Sequence, residues 1–119
     1  MTFQEVTTGG QIAVNWTNLA ANQTGVFGET LLGSNSELIV GAQILLDSTS
    51  DVSLVSGSNG LTYSGANTSL EQLMLHEIGH ALGFGDNANS TSIENYFLGS
   101  GNQALSAMDL AAAKQLYPH

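Results

Sequence analysis

The chain has 119 residues, enough for one domain with a modest core, and carries ten acidic residues against a single basic one, for a net charge of -9. That balance repels phosphate backbones, so nucleic-acid binding is not expected, and no polybasic segment or long apolar run supports membrane association. There are no cysteines, which excludes disulfides, thiolate-bound metal and thiol nucleophiles. Only 9% of residues are charged, so Asn, Ser, Thr, Gln and Gly must dress the surface. This composition looks like that of secreted or extracellular bacterial proteins exported without oxidative folding, the alternative being an acidic cytosolic domain. The start, MTFQEV, is not a signal peptide, so the targeting signal is expected outside these residues.

In chain order, the first two thirds predict β structure. Ile12 to Trp16 alternates after the Gly9-Gly10 turn signal. Val26 to Leu31 is a second strand. Leu38 to Val40 and Ala42 to Leu46 form a longer apolar run around Gly41, the pattern of a central strand with a bulge. A short strand is expected over Val52 to Val55, and Ser56 to Ser69 is expected to be a polar loop. Thr68-Ser69-Leu70-Glu71 has the form of a capping box, which opens a helix apolar on nearly every side from Leu70 to Leu82. A last helix is predicted over about 107–117, with Ser106 as its N-cap, Pro118 beyond it, and Leu110, Ala113 and Tyr117 on its apolar face. Strands first and helices last make an α+β fold, read as one domain over 1–119 and expected to be monomeric.

The run His76 to Asp86, HEIGHALGFGD, carries the chemistry. His76 and His80 lie one helical turn apart on one face, a spacing that lets both hold one metal ion. Glu77 stands beside the first histidine, placed to reach a water on that ion without ligating it. Gly83 can end the helix, so that Asp86 can return as a third ligand with a fourth position open, as in catalytic zinc sites; the other reading of Asp86 is a loop or Asx-turn residue. The opposing interpretation is a helix with two satisfied surface histidines. An apolar helix buried on all sides argues against it, because histidines and a glutamate inside need a partner.

The HExxHxxGxxD pattern resembles the extended zinc signature of the metzincins, with aspartate as third ligand in the manner of the snapalysin type. The flanks are similar to the matrixin and serralysin branches: Phe3 to Val6 followed by Ile12 to Val14, the run Gly41 to Asp47, and the closing segment Leu105 to Tyr117. The resemblance implies a small metzincin-like catalytic domain, a twisted mixed β-sheet with a central zinc-binding helix and a C-terminal helix. It implies a zinc endopeptidase acting on protein or peptide substrates, with His76, His80 and Asp86 on the metal and Glu77 as general base. Tyr96 falls where serralysin-like sites carry a tyrosine that supports the oxyanion, against its alternative as an ordinary core aromatic. The Val26 to Leu31 strand falls where these folds bind an extended peptide by main-chain pairing.

Metzincins carry a methionine in a tight turn under the zinc, and the matching segment Ser92 to Tyr96 has Glu94 there instead; Met108 falls at the start of the last helix. A buried anion is costly and Lys114 is the only cation, so the 92–96 turn is expected to be displaced, with Glu94 in solvent and Ile93 or Phe97 packed inward. No segment matches the N-terminal strand and long first helix of a complete metzincin domain. The alternative function is a non-catalytic, metal-stabilised module of a larger surface protein. Calcium is a second cofactor to look for, although Asp47 to Asp51 and Asp86 to Asn89 are too sparse in oxygen ligands to define a calcium domain alone. His119 lies too near the terminus to serve as a ligand.

Overall fold

The computed structural model describes residues 11–19, 27–35, 38–48, 53–57, 60–64, 66 and 68–117, with the backbone alone for 34, 35 and 38–40. The expectations for Phe3 to Val6, Val26, Val52 and His119 lie outside the described residues. Seven elements follow in order: β1 (Ile12–Thr17), β2 (Gly28–Asn35), β3 (Leu38–Asp47), β4 (Leu54–Gly57), β5 (Gly60–Tyr63), α1 (Leu70–Ala81) and α2 (Ala107–Leu116). The first three make a mixed sheet in the order β1-β3-β2, with β1 parallel and β2 antiparallel to the central strand. The α+β class expected from the order of patterns is the one observed.

The apolar run around Gly41 does form the central strand, since β3 has a neighbour on each side. Its pairing with β2 slips where Gly33 faces Gly41 but Ser34 faces Ile39, so the expected irregularity falls beside that glycine. Beyond the slip the strand alternates: Ile44 and Leu46 are buried while Gln43 is exposed. The buried pair faces α1, whose Leu73 and Ala81 complete the core with Tyr63 of β5. Burying side chains of this size stabilises by about 2 kcal/mol each. Phe27 stacks on Tyr63 with ring centroids 4.5 Å apart. The Tyr63 hydroxyl donates to the Asp47 carbonyl at 3.2 Å, and burial, helped by the Asp47 charge, pushes its pKa up to about 12.

Three sequence expectations are corrected. The stretch after Ser56 is not all loop, because β4 and β5 pair as an antiparallel ladder from Leu54–Tyr63 to Gly57–Gly60. The sequence signal for it is Asn59-Gly60, a dipeptide that favours hairpin turns, and Gly60 has φ +87°. The capping box on α1 is shifted by one residue: Ser69 is the N-cap, its hydroxyl accepts from Gln72 N at 3.0 Å, and the Gln72 side chain accepts from Ser69 N at 3.3 Å. Thr68 instead donates to the Leu98 carbonyl. Lastly, α2 starts and caps as expected, at Ser106, but buries none of its residues; Leu110 is 48% exposed, and Tyr117 makes the anchoring contact through a 2.7 Å hydrogen bond to the Leu82 carbonyl.

Candidate metal centre and catalytic cleft

Helix α1 presents the two histidines because it lies over β2 and β3 with one side turned away from the sheet. Its end is fixed by a Schellman motif: Phe84 N donates to the Gly79 carbonyl, Gly83 N donates to the His80 carbonyl, and Gly83 has φ +101°. A side chain at Gly83 would strain that left-handed turn. The turn sends residues 84–86 back alongside the helix. Asp86 Oδ1 consequently lies 3.2 Å from His80 Nε2 and 3.5 Å from His76 Nε2, while the two Nε2 atoms are 3.0 Å apart.

These three spacings test whether a metal fits. Tetrahedral ligands with bonds of 2.0–2.1 Å to zinc are separated by about 3.3 Å. The observed triangle has nearly that edge. The opposite ring edges are also arranged for it: His76 Nδ1 donates to the Ile93 carbonyl at 2.7 Å, and His80 Nδ1 donates to the Phe84 carbonyl at 2.8 Å. With Nδ1 carrying the hydrogen, Nε2 of each ring is left as a lone-pair donor aimed at the shared point. The donor set of two imidazoles and a carboxylate suits zinc. Among the described residues, one group of three or more metal-binding side chains gathers, and it contains His76, His80, Asp86 and Glu94. Of the calcium candidates, Asp51 lies outside the described residues.

Glu94 belongs to that group by distance but not by direction. Its Oε2 lies 3.3 Å from His80 Nδ1 and 3.9 Å from His76 Nδ1, behind the rings rather than with the Nε2 atoms. The expectation that it would reach solvent is wrong, since it is buried and neither carboxyl oxygen accepts a hydrogen bond. Burial first, then the neighbouring carboxylates of Asp86, Asp109 and Glu77, push its pKa up to about 8. Ile93 does pack inward, whereas Phe97 is 82% exposed.

The turn is not displaced because α2 holds it. Asp109 Oδ1 accepts from Ser92 Oγ at 2.5 Å, and Oδ2 accepts from Ile93 N at 2.9 Å. Ser92 Oγ in turn accepts from Glu94 N, and Asn87 N donates to the Glu94 carbonyl. Burial alone would raise the Asp109 pKa, but its bonds to Ser92, Ile93 and Ser106 outweigh that and hold it below the usual carboxylate value.

Glu77 points the other way, toward β2. The Thr30 hydroxyl donates to its Oε2 at 2.5 Å, with the Glu77 backbone carbonyl 3.1 Å from the same hydroxyl. Gly28 leaves the room for this side chain, because a Cβ there would come 2.8 Å from Leu73 Cδ1 and 3.1 Å from Glu77 Oε1. Beside them opens a cavity of about 300 Å³, lined by His76, Glu77, Phe27, Gly28, Leu73 and the 96–98 segment among others. Strand β2 forms one edge of the described sheet, and among the described residues no strand pairs with its outer side, next to this cavity. Tyr96 borders the cavity and is 63% exposed, which overturns its reading as a core aromatic. Met108 sits on α2 rather than behind the histidines. Thr30 and the carbonyls of Ile93 and Phe84 went unnoticed in the sequence, where nothing distinguishes them from other strand and loop residues.

A cleft along an edge strand, with an HExxH helix behind it and a carboxylate returning after a glycine turn, defines the fold and site of a metallopeptidase. The family model of the matrixins matches residues 1–118, and the chain belongs to that zinc metallopeptidase family. A comparison with curated proteins finds no match.

Proposed function

We propose that the chain is a zinc-dependent endopeptidase in which His76, His80 and Asp86 hold the metal and Glu77 is the general base. The observation that carries this reading is the convergence of two Nε2 atoms and Asp86 Oδ1 within 3.5 Å of one another, with His76 and Glu77 both lining the cavity. Zinc, when bound, supplies Lewis acidity to a water and to the scissile carbonyl. Glu77 accepts the proton of the attacking water and returns it to the leaving amine. Thr30 holds the Glu77 carboxylate while this happens. An extended peptide pairs with the open edge of β2 and lays one side chain into the cavity between Leu73 and the 96–98 segment. Tyr96, which lines the cavity, meets the carbonyl oxygen as charge develops on it in this reading; its exposure beside the cavity supports the role.

Two further proposals are a monomeric state and, from composition, work outside the cell. The acidic, cysteine-free surface supports export without oxidative folding.

The test is zinc content by elemental analysis, together with casein digestion by wild type and Glu77→Gln. The expected result is one zinc per chain and proteolysis lost in the variant. Zinc without proteolysis across broad peptide libraries would favour the alternative, a metal-stabilised module.

A further inference from the structure

We propose that Glu94 is a positioning residue for the metal ligands: a carboxylate built in behind both histidines that strengthens their hold on zinc. The inference rests on the zinc reading above and assigns a role to the residue that fits that reading least.

Three observations carry it. Glu94 is only 6% exposed, yet neither of its oxygens accepts a hydrogen bond, an expensive arrangement unless something else compensates. The groups its Oε2 faces are the Nδ1 edges of His80 and His76, at 3.3 and 3.9 Å. The seat is also shaped for it, because α1 has a glycine where the carboxyl group packs: a Cβ on Gly79 would lie 2.5 Å from Glu94 Cδ. A polar group merely trapped by a fixed backbone would not need a glycine opposite in the middle of a helix, where glycine is unfavourable.

Each Nδ1 already donates to a backbone carbonyl, so Glu94 is not needed to fix the tautomer. What the carbonyls cannot supply is an ionisable group, one that a cation held on the Nε2 side draws into its charged form. A carboxylate on the far edge of an imidazole makes the opposite nitrogen a better donor to a cation, and one placed between two such rings serves both. The position is unsuited to direct ligation, because both Nε2 atoms and Asp86 Oδ1 gather on the other side.

The experiment compares wild type, Glu94→Gln and Glu94→Met by zinc competition against a chromophoric chelator at pH 7.5, with thermal melts of the metal-free proteins. Glutamine keeps the size and an acceptor oxygen but loses the charge, whereas methionine fills the seat with apolar atoms. Removing an outer carboxylate typically costs 10–100-fold in metal affinity. We expect both variants to lose at least about tenfold, and metal-free Glu94→Met to melt no lower than wild type, since an unbonded buried polar group has gone. A loss under tenfold in either variant overturns the proposal. So does a marked fall in the metal-free melting temperature of both, which would make Glu94 a structural residue. Wild type that binds no zinc would instead sink the metal site itself, which separates the two failures.

Discussion

His76 and Ile93 are joined by a 2.7 Å hydrogen bond from the imidazole Nδ1 to the backbone carbonyl, and that bond links the metal-facing ring to the C-terminal helix. Ile93 is itself held through its own N–H by Asp109, the third residue of α2. The helix contributes little to the core, yet its cap sets the height of the turn on which His76 leans. Folding and site geometry meet at Asp109.

Asp109→Asn should therefore destabilise the protein. The substitution removes a charged acceptor from Ser92 Oγ, Ile93 N, Ser106 N and Ser106 Oγ. Losing bonds to a charged group typically costs about 1.5–3 kcal/mol, so denaturant melts in excess chelator should shift by that order. The pH dependence has a definite sign. A carboxyl whose folded pKa is depressed contributes stability that is present above its unfolded value of about 3.9 and lost as pH falls through the folded value. Wild type should lose stability below pH 4 more steeply than Asp109→Asn. Parallel acid limbs for the two proteins would refute the assignment.

Asp86→Ala tests the third ligand. Its carboxylate is exposed enough that removal should leave the metal-free fold intact, with melting unchanged. Zinc affinity should fall by more than the roughly 100-fold that is the upper range for outer-shell changes. Full retention of zinc would mean that the convergence of Oδ1 with the two Nε2 atoms is incidental.

The metal-facing triangle was legible in the sequence because it depends on local geometry. A four-residue spacing puts His76 and His80 on one face in any α-helix, and a glycine at position 83 is what a Schellman stop requires. The central strand and the start of α2 were legible for the same reason. What was not legible depends on long-range partners. Glu94 looked costly to bury because Lys114 was the only cation, but its neighbours are two imidazoles, and its backbone is fixed by an aspartate fifteen residues onward. Asn and Gln were expected to dress the surface, yet Gln72 and Asn102 are buried and bond each other at 2.9 Å, tying α1 to the 97–102 segment. No periodicity announces such pairs. The hairpin β4–β5 was missed because its strands are too short for alternation to show.

Thr30→Val should lower turnover while leaving zinc content unchanged. The hydroxyl donates to Glu77 Oε2, and Glu77 is 4% exposed, so water cannot easily take over. One such hydrogen bond is worth about 1–3 kcal/mol, which predicts a fall in kcat of about tenfold on a peptide substrate. Thr30→Ser keeps the donor and should recover most of it. If serine is no better than valine, the effect lies in strand packing rather than in holding the base.

Gly79→Ala and Glu94→Ala should be coupled. Alanine in place of glycine inside a helix ordinarily stabilises by roughly 0.5–1 kcal/mol. At position 79 the new methyl group would meet the Glu94 carboxyl group, whose buried seat leaves it little room to withdraw. In the wild-type background the substitution should therefore yield no gain, or a loss, as the carboxyl is forced from its place behind the histidines. With Glu94 truncated to alanine the obstruction is gone, and the helix-propensity gain should return. A double-mutant cycle from denaturant melts in chelator should give a coupling of about 1 kcal/mol or more, within the usual range for residues in contact. Additivity within about 0.3 kcal/mol would mean that Glu94 moves aside freely, and that its place against Gly79 is not fixed by the fold.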